Sequence, residues 1–129
     1  MINFFGKYKI IFYITNFILI LLYLFPGSLI GCFLYDDCKL QPQITPDFII
    51  STNHLYAFAF LSLIAFLTFK KTDKITFIIL YLITISVVLE LFHHFVPERS
   101  FEYSDLFGNL IGVIIIIIFF NLLKKYENS

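Results

Sequence analysis

Apolar residues gather into four stretches along the chain, at residues 8–25, 48–69, 75–96 and 106–123. Each is bounded by charges or by Pro and Gly: Pro26-Gly27 after the first, Lys70-Lys71 after the second, Pro97 after the third and Lys124-Lys125 after the fourth. A helix that crosses a bilayer needs about 20 mostly apolar residues, and each stretch is near that length. An unpaired strand in hydrocarbon would leave its backbone groups without partners, so all four are predicted as helices. Even residues 114–120, which would suggest a strand in water, fit a lipid-facing helix surface. The expectation is an all-α membrane protein, a bundle of four transmembrane helices forming a single domain over residues 1–129.

Composition sharpens this expectation. Of the 129 residues, 60% are hydrophobic and only 14% charged, and the mean hydropathy is +0.90. Soluble domains are about half apolar and a quarter charged, and a chain this short could not hide so much apolar surface from water. Lipid is the expected solvent. The eighteen Phe and eight Tyr need no role beyond packing and anchoring at the interface. A formal net charge of zero gives no reason to expect a nucleic-acid partner.

Orientation is read from the nine Lys and Arg. With the N-terminus inside, Lys7, Lys9, Lys70, Lys71, Lys74, Lys124 and Lys125 are cytoplasmic, and only Lys39 and Arg99 lie outside. The positive-inside rule then predicts that both termini are cytoplasmic. Residues 27–47 become a long outer loop, 98–104 a short outer loop and 70–74 a tight inner turn. Leu29-Ile30-Gly31-Cys32 matches a bacterial lipobox, but Pro26-Gly27 interrupts the adjoining apolar run, so an ordinary retained first span is the better reading. Cys32 and Cys38 both fall in the outer loop, where they could close a disulfide or remain two thiols.

With this topology the polar residues sort to one end. His54 lies near the outer end of the second span, and Glu90, His93 and His94 lie at the outer end of the third. Asp105 and Asn109 open the fourth, with Arg99 in the loop before it. Glu90, His93 and His94 share a helix face at i, i+3 and i+4, and Asp105, Asn109 and Gly112 do so at i, i+4 and i+7. Three helices can therefore aim polar groups into one pocket. Ionisable groups within spans are costly and usually face a cavity or a partner. For Glu90 the alternative is a structural bridge to Arg99 or to a His, and for His54 and Asn109 it is interhelical hydrogen bonding. Asp105 could simply favour a helix N-terminus with Ser104 as cap, and one of His93 and His94 is expected to face the headgroups. Gly108-x-x-x-Gly112 predicts close helix packing, of the fourth span on the third. No H-E-x-x-H, Gly-rich phosphate loop or G-x-S-x-G elbow is present, and one carboxylate within a span is too few for a di-iron centre. No metal and no cofactor are predicted.

Residues 90–112 carry a resemblance. Glu90, the His pair, Pro97-Glu98-Arg99, Asp105, Asn109 and Gly112, with His54-Leu55-Tyr56-Ala57-Phe58 upstream, resemble the VanZ-like family over about residues 45–120. The family often has Asp-Lys shortly before its His, where this chain reads Ile50-Ser51-Thr52-Asn53. The resemblance implies a small multi-pass protein of the bacterial cytoplasmic membrane, the namesake being associated with resistance to the glycopeptide antibiotic teicoplanin. The expected function is binding: an outer pocket that engages membrane lipids, through an anionic headgroup or a phosphorylated cell-wall lipid intermediate. Arg99 and a protonated His93 or His94 would meet the phosphate, oriented by Glu90 and Asp105. The alternatives are a membrane phosphohydrolase or transferase using His54 or a neighbouring His, and a structural partner of another membrane protein using the Gly108 and Gly112 face.

Overall fold

The computed structural model describes residues 7, 9–47 and 49–127. Among them are five helices and no strand: α1 (Ile10–Leu24), α2 (Leu29–Tyr35), α3 (Thr52–Phe69), α4 (Ile75–Phe92) and α5 (Tyr103–Glu127). By length and composition α3, α4 and α5 can each cross a membrane, and α1 with α2 makes a fourth candidate if the bent pair is one span. At about 1.5 Å per residue, the 15 residues of α1 cover only about 22 Å of a hydrocarbon core about 30 Å thick. The chain reads as a multi-pass membrane protein.

Proline chemistry shapes the first bend. Pro26 disfavours helical backbone in the residue before it, and Phe25 is accordingly extended at ψ 131°. Gly27 follows at φ +103°, a conformation open to a residue without Cβ. The Ser28 side chain then accepts from the Gly31 N–H at 2.9 Å and caps α2, which leaves α1 at 84°. Residues 29–35, expected within a loop, are therefore a short helix. Cys32 and Cys38 are joined by a disulfide that ties α2 to the chain after it. With its sulfur so engaged, Cys32 offers no thiol to a lipid.

The other boundaries also move. The second stretch becomes helical only at Thr52, because Asp47 accepts from the Thr52 backbone N–H and hydroxyl and so caps the helix there. The third stops at Phe92. His93, His94, Phe95 and Val96 each donate to the carbonyl three residues back, a tightening turn ahead of Pro97. The fourth starts at Tyr103 and runs through Lys124 and Lys125 to Glu127, since a charged residue carries a helix out of the lipid without ending it. Ser104 thus sits inside the first turn and is not its cap. The expected edges at Tyr8 and Phe48 lie outside the described residues.

Packing centres on α3. It lies against α5 along most of its length, and α1 and α4 flank the pair. Phe58, Leu61 and Ala65 of α3, Leu82 of α4 and Val113 of α5 are fully buried. Gly108 and Gly112 allow the close approach: a Cβ on Gly112 would stand 2.5 Å from the Leu55 carbonyl oxygen, and one on Gly108 2.6 Å from that of Ser51. The glycines therefore face α3, the second apolar stretch, and not the third as the spacing suggested. Phe17, Phe77, Leu80, Ile118 and Leu122 point outward and exposed, an arrangement suited to hydrocarbon rather than water.

Candidate functional site

Four helix ends meet where α1 turns into α2. Tyr23 occupies the last turn of α1, His54 the first turn of α3, Glu90 the last turn of α4, and Asp105 and Asn109 the first two turns of α5. Tyr23, Glu90, His93 and Asn109 are buried, whereas His54 and Asp105 are half-buried. Buried polar groups in a membrane protein have no water to fall back on, so where each hydrogen bond goes decides the architecture.

The network can be traced atom by atom. The Asn109 Nδ2 amide donates to the Ser86 carbonyl at 3.0 Å and to the Tyr23 hydroxyl at 2.7 Å. Tyr23 in turn donates to Glu90 Oε2. Glu90 Oε1 accepts from the Glu102 backbone N–H at 3.0 Å, and Oε2 lies 3.3 Å from His93 Nδ1. His93 Nε2 donates to the Tyr23 carbonyl at 2.7 Å, and its ring stacks on the Tyr23 ring with centroids 4.3 Å apart. His54 Nδ1 is 3.0 Å from Asn109 Oδ1, and His54 Nε2 is 3.7 Å from Asp105 Oδ1. One carboxylate, one phenol and one amide thus bind α1, α3, α4 and α5 together.

Arg99 does something else. Its Nε donates to the Phe25 carbonyl at 3.3 Å and its Nη2 to the Gly27 carbonyl, so it clamps the bend between α1 and α2. The suggested bridge from Glu90 to Arg99 is not formed; Glu90 accepts from the Tyr23 hydroxyl and the Glu102 N–H and lies beside His93. His94 stands apart, exposed beside the Phe95 ring. The i, i+4 relation to Glu90 fails because the helix has already ended at Phe92.

Beside the network a cavity of about 800 Å³ opens between α1–α2 and α3. Ile18, Leu22, Leu29 and Phe60 line its apolar length, and His54, Arg99 and Asp105 its polar end. Of the residues expected in a pocket, His54, Glu90, His93, Asp105 and Asn109 converge in the network; His54, His93, Asp105 and Arg99 line the cavity, whereas Glu90 and Asn109 do not. Tyr23 was missed, although its hydroxyl meets Glu90, His54 and Asn109 and its carbonyl meets His93. A lone hydroxyl in the last turn before Pro26 was the available signal. His54, Glu90 and Asp105 also place one potential ligand atom each within 4.8 Å of one another, a convergence that sequence spacing could not reveal. Comparison with protein-family models, with curated proteins and with solved structures found no match.

Proposed function

We propose that this chain is a VanZ-like protein of the bacterial cytoplasmic membrane, a four-helix transmembrane bundle with both termini cytoplasmic. Its outward cavity holds the phosphorylated headgroup of a membrane lipid or a cell-wall lipid intermediate. The observation that carries this is the form of the cavity, apolar along its length with Arg99, His54 and Asp105 at one end. A hydrocarbon chain would lie along Ile18, Leu22 and Phe60. The phosphate would meet Arg99, two of whose five N–H donors are held by the Phe25 and Gly27 carbonyls, fixing the plane of the fork. Asn109 Oδ1 orients His54, and the Tyr23 carbonyl orients His93 beside Glu90. The resemblance supports the same reading, because its scattered residues Glu90, Arg99, Asp105 and Asn109 all come to this end, and it links the function to teicoplanin susceptibility.

The test is retention by the purified protein of a polyprenyl phosphate against the matching neutral alcohol. A charge-assisted hydrogen bond contributes about 1.5–3 kcal/mol, so the phosphate should be held about 10-fold more tightly or better. Equal retention would remove the headgroup from the proposal. The juxtaposition of His54 and Asp105 beside Arg99 favours one second reading, a phosphohydrolase or transferase with His54 as base or nucleophile. Release of inorganic phosphate by purified protein separates the two. The third idea, a partner protein docked on Gly108 and Gly112, loses its surface because α3 already covers both glycines.

A further inference from the structure

We infer that His54, Asp105 and Glu90 form a binding site for a divalent first-row metal ion of the zinc type, with an open coordination position facing the cavity. The starting point is the Ser86 carbonyl, which can only accept a hydrogen bond. It therefore sets the Asn109 amide with its NH₂ toward Ser86 and Tyr23 and its oxygen toward His54. Tyr23 spends its single proton on Glu90 and so can only accept from His54. Both neighbours of His54 Nδ1 are then acceptors, and Nδ1 must carry a proton. This directs the Nε2 lone pair of the neutral ring at Asp105 Oδ1, 3.7 Å away.

Two acceptors facing each other across that gap call for a cation between them. A metal ion suits the surroundings better than a proton alone. Metal-bound histidines generally donate their other ring N–H to a carbonyl oxygen, the role Asn109 Oδ1 plays here. Glu90 completes a set of one imidazole and two carboxylates, whose ligand atoms lie within 4.8 Å of one another. Its two oxygens have about four lone-pair sites and receive donors from the Tyr23 hydroxyl and the Glu102 N–H, with His93 Nδ1 beside Oε2 at 3.3 Å, which leaves capacity for a further contact. Zinc bonds of about 2.0–2.2 Å require the widest of these atoms to draw in by about an ångström, a motion open to the half-buried Asp105 side chain. Three protein ligands and a free position are the pattern of zinc sites that take water or substrate. His54 and Asp105 line the cavity, so the free position opens there. The site does not depend on whether the cavity takes a lipid.

The experiment is titration of Zn²⁺ into full-length protein in detergent micelles after treatment with chelator. One ion per chain is expected, and affinity should fall by about 10-fold or more in His54→Gln and in Asp105→Asn. It should stay unchanged in His94→Gln, whose side chain lies outside the site. X-ray absorption on the wild-type complex should show one imidazole with oxygen ligands, a result that stands even if a variant fails to fold. Absence of uptake would leave a proton as the cation and overturn the inference. So would uptake indifferent to both His54→Gln and Asp105→Asn, or a shell with two imidazoles.

Discussion

The two ends of the helices hold together by different chemistry. Where α1 meets α2, hydrogen bonds join residues 67 and 86 positions apart through the single Tyr23 hydroxyl. Toward the opposite end apolar contacts prevail beside one hydrogen bond from Tyr81 to Asn16: Phe12 meets Phe69 edge-on with centroids 5.4 Å apart, and Phe66 stacks on Phe120 at 5.0 Å. Lys9 and Lys70 close that end over the Phe69 and Phe120 rings. Ring contacts tolerate sliding, whereas a carboxylate, phenol and amide in register do not. The polar end is thus the part of the molecule whose geometry is specified, and the aromatic end is support.

The largest expected effect tests that contrast directly. Glu90→Ala leaves the Tyr23 hydroxyl and the Glu102 N–H without their acceptor and removes the carboxylate beside His93, and losing one member of such a buried set costs about 3–5 kcal/mol. Phe69→Ala at the other end loses packing, but in lipid it lacks the water-to-oil transfer contribution behind the usual ~3–5 kcal/mol for Phe→Ala. Unfolding in detergent should therefore rank Glu90→Ala as clearly the worse. A larger loss from Phe69→Ala would reverse the account of which end is specified.

Next in size is the joint between α3 and α5. In Gly112→Ala the new methyl group would meet backbone atoms of Leu55 and Ala59, at 2.5 and 3.0 Å, and backbone cannot rotate away. The helices must separate, with a loss of about 1–3 kcal/mol. Because His54 and Asn109 sit one turn along on the same two helices, this substitution should also weaken ligand retention. Loss of stability with retention intact would show that the polar end assembles without that joint.

Arg99→Lys is smaller again. A lysine cannot reach two carbonyls with one planar fork, so the clamp on Phe25 and Gly27 loosens and phosphate retention should fall about 10-fold, while abundance in the membrane stays near wild type. Reduced abundance with full retention per molecule would make Arg99 a structural clamp alone.

How much of this could be read beforehand follows the same divide. Apolar length located the helices because crossing lipid is a requirement on composition, and Glu90, His54, Asp105 and Asn109 stood out because polarity in lipid is rare. The termini of the helices were read less well. They depend on hydrogen bonds made at a distance, such as Asp47 to Thr52, or on turn tightening before Pro97, and neither alters hydropathy. Helix α2 was hidden because seven residues are too few for periodicity to speak. Tyr23 was hidden because tyrosine is ordinary near a membrane interface, and only the fold shows that its hydroxyl points inward. Whether Gly108 and Gly112 face one neighbour or another is a fact of packing that spacing along one helix does not contain.

The smallest expected effect concerns Asp47, a carboxylate outside the helices whose titration is clearly shifted. Asp47 accepts from the Thr52 N–H at 3.0 Å, from the Thr52 hydroxyl at 3.1 Å and from Gln43 at 2.8 Å. The Thr52 backbone N–H above all holds its carboxyl below the ordinary carboxylate range. A carboxyl lowered by folding stabilises the folded arrangement above its unfolded value of about 3.9, and that contribution fades as pH falls through the lowered one. Hydrogen exchange, corrected for intrinsic rates, should find the amides of Ile44, Ser51 and Thr52 protected at neutral pH and losing protection below about pH 4. Asp47→Asn should be less protected throughout and flat across that range. The change will be modest, since Asp47 is exposed and water screens it. An acid-dependent loss of the same size in Asp47→Asn would assign the effect elsewhere. It would then be the buried polar end, and not its water-facing cap, that fixes where α3 begins.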